Sequence, residues 1–424
     1  MGGFSVRRLR SSRQGNVVTL TALMMPILIG TAGLASDTIQ WTLTKRMMQR
    51  AADSGAIAGA YQLSQSSSTD VVKAAVTTDI NRNAGFSMTV APVINTPATY
   101  GSYRDASSAV EVTLATDARL PFTSMIMRGP VRISARAVAE VVGNGDYCVL
   151  ALEKTNTTGI SMNGNATVNL GCGMMSNAPS TASVTAGGSS QITASPVAAV
   201  GNVPASNNYG PGTIRQEYAL PLRDPFRNLP DPNISANGSA LSVNPQQTRS
   251  YTSNFTTGTV YNSVDIKGVA NFGPGIYYIT GNMSVNSGAT INADGAVFIL
   301  TARNAASNTG SIATVTINGG ANVNMTAPTT AQSSTYAGLL FYQDRRATNM
   351  ATNKINGNSG SKLQGAFYFP AQQLQMNGTA GMDTKCVQIV ARQVDWVGNT
   401  AINNVCPPAS GASSFKGTQI KLVA

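Results

Sequence analysis

The sequence predicts a membrane-anchored α+β stem followed by a large, mostly β head. Three observations carry that expectation. An uncharged stretch of membrane-spanning length lies near the N-terminus, and helical spacing continues beyond it to about Leu63. From residue 147 onward, short β-type segments alternate with turns rich in Gly, Asn, Ser and Thr. The chain has 424 residues, room for about two or three domains. Only 11% of residues are charged, against about 25% in an average soluble protein. There is no histidine. Ser-His-Asp and Cys-His catalysis, His-ligated zinc or copper, and histidine pH switching are thereby excluded. The net charge is +11, from 29 basic and 18 acidic residues. The first 50 residues contribute +6 of it, so the remainder is weakly basic and a general nucleic-acid surface is not expected.

Residues 1–15 form a basic tail with Arg7, Arg8, Arg10 and Arg13 and no acid. Residues 16–36 carry no charge and match the length of a transmembrane helix. The basic flank places the N-terminus in the cytoplasm and everything after Asp37 outside it. A cleaved secretory signal is the competing account, with Ala32-Gly33-Leu34-Ala35 as its cleavage candidate. The apolar stretch is long for such a signal, and Ile39, Leu43, Met47, Ala51 and Ile57 continue near helical spacing. A helix from Asn16 to Leu63 would be about 70 Å long at ~1.5 Å per residue. Gly30, Ala32, Gly33 and Ala35 offer a small-residue face for packing in the membrane, ordinary membrane composition being the plainer account. Asp37 and Asp53 are assigned to partner contact, against capping or solvation of the emerging helix.

These residues resemble the N-terminal segment of TadG-like proteins of the Flp (Tad) pilus assembly system. The resemblance rests on Gly15-Asn16, Pro26, Gly33, Asp37, Lys45-Arg46 and Gln49-Arg50-Ala51-Ala52-Asp53. It is strongest over residues 13–60 and extends less specifically to about residue 175. It implies a single-pass bacterial inner-membrane protein with its bulk in the periplasm or on a pilus at the cell surface. Its partners would be other Tad/Flp assembly or pilin-like subunits. The related minor-pilin-like proteins are cut after a Gly by prepilin peptidase and carry a Glu five residues later. Aligning on Gly15 and Pro26 puts Leu20 at that position. This departure favours an uncleaved anchor over processing between Gly15 and Asn16.

Residues 37–142 extend the helix and add a small α+β domain, as in pilin-like proteins. Residues 69–83 read as a helix, with Thr69 as its N-cap. Residues 86–94, 108–118 and 131–142 read as strands. Val110, Val112 and Leu114 share one face, with Glu111 and Thr113 opposite; Val131, Ile133, Ala135, Ala137 and Ala139 share another. Residues 143–146, GNGD, read as a turn-rich linker. In residues 147–424, GNMSVNSGATINADG and GSIATVTINGGANVNM repeat loosely, which predicts a right-handed parallel β-helix or solenoid. A β-sandwich is the alternative. Residues 201–262 read as an irregular surface insertion, since segments such as LPDPN resist regular structure.

Cys148, Cys172, Cys386 and Cys406 allow three pairings, of which proximity favours Cys148–Cys172 and Cys386–Cys406. Disulfides suit an extracytoplasmic head, and the spacings suit no metal site. No cofactor motif is present, and no enzymatic role is expected. A polysaccharide hydrolase or lyase built from Asp294, Asp344, Asp383, Asp395, Arg345, Arg346 and Arg392 is the least favoured alternative. An adhesin binding surface glycans, for example through Tyr342, Gln343 and Trp396, is the other.

Overall fold

The computed structural model describes residues 13–65, 68–83, 85–127, 129–356, 358, 361–378, 383–398, 401–403 and 415–423. The chain divides into two compact units: Met1–Val142 with Gln419–Ala424, and Gly143–Thr418.

The first unit is organised by helix α1, Arg13–Gln65, about 80 Å long at ~1.5 Å per residue. The Thr21, Thr38 and Thr42 hydroxyls donate to carbonyls one turn back, which satisfies them without water. Pro26 lies inside the apolar half, where membrane helices tolerate it. Residues 17–32 are exposed on every side. Farther along, Met48, Ala51, Ala52, Ala56 and Ala60 form a buried stripe. This stripe packs on Val72, Val76 and Ile80 of α2, Thr69–Asn83. Of the five positions that suggested helical periodicity, only Ala51 is in the core; Ile39, Leu43, Met47 and Ile57 are exposed. Small residues won the buried face because the elements approach closely. A Cβ at Gly59 would lie 2.6 Å from Val76 Cγ2 and 2.8 Å from Val110 Cγ1.

Three strands complete this unit: β1 (Val93–Asn95), β2 (Ala109–Ala118) and β3 (Val131–Ala151). β1 and β3 flank β2, both antiparallel to it. Val110, Val112 and Leu114 join Ile133, Ala135, Ala137 and Ala139 over the helices. Between β2 and β3 lies one helical turn, α3 (Thr123–Ile126). The returning C-terminus adds a hydrogen bond from the Val423 N–H to the Val138 carbonyl. Two details differ from expectation. Glu111 is only 3% exposed, because Asn95 and Thr99 fold over it and donate to its carboxylate. β3 also runs unbroken through residues 143–146, where a turn was expected. Gly145 adopts φ +125° there, a conformation open to glycine that lets the strand continue.

In the second unit the strand ladders run parallel. One ladder stacks Thr248–Tyr251, Val269–Phe272, Thr290–Asp294, Asn322–Thr326 and the start of Lys362–Gly378. A second stacks Gly275–Ile279, Ala296–Leu300, Leu339–Gln343 and the middles of Lys362–Gly378 and Asp383–Gly398. A third stacks Ser239–Val243, the end of Thr259–Ile266, Met283–Val285, Val315–Ile317 and Thr352–Ile355. The two segments that looked like repeats lie directly on one another, Met283 beside Val315 and Thr290 beside Asn322. An antiparallel sandwich would instead pair hairpin neighbours.

The order of stacking is not the order of the chain. The end of β3 and Ile160–Met162 pair with the last long strand, Asp383–Gly398. Gly173–Ser176 and Val197–Ala199 continue outward from there. Residues 217–238 then return as a strap across the second ladder. Its Leu222, Phe226 and Leu229 cover Tyr342, Tyr368 and neighbouring side chains. Ladder strands Ser239–Val243 and Thr248–Tyr251 fall within residues 201–262, so the irregular stretch is shorter than the sequence suggested. Inward residues form one continuous core. Within it, Tyr251, Phe272, Phe298, Phe341 and Phe367 pack ring to ring from pass to pass.

Candidate functional site

The candidate site is the face of α1 that carries the motif residues. Gly33, Asp37, Lys45, Gln49 and Asp53 are spaced by fours or a multiple of four, so they lie along one row that winds around the helix. Asp37 is 2% exposed. Its Oδ2 accepts the Thr123 backbone N–H at 2.5 Å, while its buried Oδ1 has no partner among the described residues. One turn earlier, Gly33 lies under Phe122, and a Cβ there would be 2.2 Å from Phe122 Cδ1. Lys45 Nζ donates to the Ser134 carbonyl, and Gln49 Nε2 to the Arg136 carbonyl at 2.9 Å. Four helical residues rise about 6 Å and two strand residues about 6.6 Å, so Lys45 and Gln49 reach two alternate carbonyls of β3. Gln49 Nε2 also donates to Asp53 Oδ1 at 2.7 Å. Arg136 in turn sits 3.4 Å from Glu111. Burial alone would raise the Glu111 pKa, but the Thr99 and Asn95 hydrogen bonds and the Arg136 charge hold it lowered.

Gly33 and Asp37 therefore work inside the first unit. Gly30, Ala32 and Ala35, the other small residues of the proposed membrane face, are exposed, and Gly30 has nothing within 4 Å of a Cβ. Gly15 and Asn16 lie at the start of α1, where side chains are outside the described residues.

Residues 15–62 match the family model "Putative Flp pilus-assembly TadE/G-like". The N-terminal segment is TadE/G-like. No curated protein and no solved structure matches the chain. The TadE/G-like segment thus covers α1 nearly end to end, including the stripe that docks on β3 and the β2–β3 connection.

In the second unit Cys148 and Cys172 are joined by a disulfide, Cα–Cα 5.9 Å. It links β3 to the pass stacked on it. The side chain of Cys386, and all of Cys406, lie outside the described residues. The described charged residues considered for hydrolysis are engaged in bonds within the head. Asp344 is buried against Arg346 at 2.6 Å and accepts from Thr301 at 2.7 Å. Arg345 holds Asp231 at 3.0 Å and donates to the Phe226, Arg227 and Leu229 carbonyls, clamping the strap. Arg392 pairs with buried Glu153 at 2.7 Å. Burial pushes the Glu153 pKa up, but hydrogen bonds from Thr155 and Lys154, with the Arg392 charge, leave it lowered. Asp395 accepts from Ser161 and Gln375, and Asp294 from Thr326. The Asp383 side chain lies outside the described residues. Tyr342, Gln343 and Trp396 are fully buried and present no glycan surface.

A polar strip does lie on the first ladder. Asn324 donates to Asn292 at 3.1 Å and Asn292 to Asn271 at 2.8 Å. These residues, with Asp294, Thr326 and Lys362, line an open groove of about 490 Å³. No single residue announced this strip in the sequence. It forms because the three Asn occupy equivalent outward positions in successive passes.

Proposed function

We propose that the chain is a membrane-anchored, non-enzymatic structural component of Tad/Flp pilus assembly. One observation carries the reading: the TadE/G-like match falls on a continuous helix whose residues 17–32 are apolar and exposed. In this reading that half crosses the inner membrane with the N-terminus cytoplasmic. The small α+β unit is a periplasmic stem, and the parallel ladders form a solenoid head. Asp344, Arg345, Arg346, Arg392, Asp294 and Asp395 all bond within the head, which supports a structural role over hydrolysis. The N-terminus of the protein, identified by mass spectrometry in inner membranes and in sheared filaments, tests the reading. An intact N-terminus in membranes supports a fixed anchor that contributes to pilus biogenesis. A chain starting at Asn16 in filaments means incorporation as a pilin. A chain starting after Ala35 and found free of both overturns the anchor.

The Asn271–Asn292–Asn324 strip supports a second reading, adhesion to surface glycans, compatible with the first. Amide and hydroxyl groups at about 4.8 Å intervals suit a hydroxyl-rich polymer. Binding of the full-length protein to cell-surface polysaccharide should fall with Asn292→Ala and Asn324→Ala; unchanged binding rejects this reading.

A further inference from the structure

We propose that residues 120–127 of the β2–β3 connection, LPFTSMIM, are a second membrane contact: an apolar foot resting in the interface of the bilayer that α1 crosses. This rests on the membrane-anchor reading.

Depth is the first argument. Twenty helical residues span about 30 Å, the thickness of the hydrocarbon layer. Counted from Val17, that length ends at Ser36. Gly33 and Asp37 straddle this end, and both are covered by the foot: Phe122 lies over Gly33, and the Thr123 N–H donates to Asp37. The foot is therefore pinned level with the last turn of the apolar helix.

Composition is the second. Met125 is 80% exposed and Met127 56%. Pro121 is exposed as well. Long, adaptable apolar side chains on a short turn fit the boundary between headgroups and acyl chains. In the sequence Arg119 and Arg128 bracket the foot directly; Arg119 and Arg132, both exposed, stand where its strands end, with Asp117 the acid beside them. Cations there meet the phosphates of the headgroups. The adjoining surface at the same level is the exposed apolar part of α1 itself, so lipid already occupies that level in the anchor reading. The foot also covers Asp37, the first charge after the apolar stretch, at a depth where an uncovered carboxylate would be costly.

The test uses the full-length chain in lipid nanodiscs, with Cys386→Ser and Cys406→Ser to limit labelling. A polarity-sensitive fluorophore is attached at Met125→Cys, at Leu23→Cys and at Ser102→Cys, and lipids carrying a quencher are added to the disc. The expected result is quenching at Leu23 and Met125 and none at Ser102. Quenching at Leu23 without quenching at Met125 overturns the foot and leaves the anchor standing. This includes the case in which Met125 is shielded from water without lipid contact, as a protein partner or a second copy would shield it. Absence of quenching at Leu23 removes the anchor and the foot with it. Each label sits on an exposed side chain and all three proteins carry the same two Cys→Ser changes, so differences between the label sites do not come from folding.

Discussion

At the scale of residues, the two glycines of the small-residue face, Gly30 and Gly33, have different work. Gly33 touches Phe122, whereas Gly30 meets open space. Gly33→Leu should free the β2–β3 connection and destabilise the first unit by about 1–3 kcal/mol, the usual range for overpacking. Gly30→Leu should leave folding unchanged and report only on helix packing in the membrane. Proteolysis around residue 127 separates the two. Equal resistance in both variants would remove the Phe122 contact from the account. In the head, Glu153 and Arg392 make a buried ion pair. Because the folded carboxyl of Glu153 binds its proton less readily than the unfolded one, its contribution is complete above the ordinary value of 4.5 and is lost as pH falls through the lower folded value. Glu153→Gln should cost about 2 kcal/mol near neutral pH and flatten the loss of stability on acidification. Thermal melts at pH 7 and at pH 3 check both the size and the sign.

At the scale of elements, α1 carries two surfaces with different demands. The apolar half faces outward all round, while the later half buries a narrow stripe of Ala and Gly against α2 and the sheet. Periodicity showed the helix but not its packing face, because exposed Ile39, Leu43 and Met47 outweigh the buried small residues in hydropathy. Only packing shows that the small residues set the approach distance. The strap of residues 217–238 is a second case. It looks irregular because its backbone groups are satisfied by side chains such as Arg345 and not by a ladder. Arg345→Ala should loosen it and expose the outer side of the second ladder. Cleavage within residues 217–238 should then speed up while the remaining passes stay protected; uniform protection would show that the aromatic contacts of Phe226 suffice.

At the scale of the whole chain, the strands of the head stack in an order that sequence neighbours do not show. Val149 pairs with Ile389, and Ile160 with Val394. Such distant pairing requires most of the chain before the stack is continuous, and it leaves no free strand edge where β3 enters. Deleting residues 387–398 should strip amide protection from passes on both sides, those at 148–176 and those at 362–378. Loss on one side alone would contradict the stacking order.

The sequence by itself determined what local chemistry controls. It marked an uncharged helix of membrane length, its TadE/G-like motif, the parallel stacking partners 283–285 and 315–317, and a cysteine pair close enough to join. It also showed Val110, Val112 and Leu114 as a buried row, because alternation is a local property of a strand. Tertiary structure alone decided which motif residues are used internally. It turned Asp37 and Gly33 toward the β2–β3 connection, buried Glu111 under a turn, and sank Tyr342, Gln343 and Trp396 into the head. It also placed the first passes of the head against the last. These outcomes depend on which distant segments meet, and the free energy of such meetings lies in close packing and shared hydrogen bonds that no window of neighbouring residues contains.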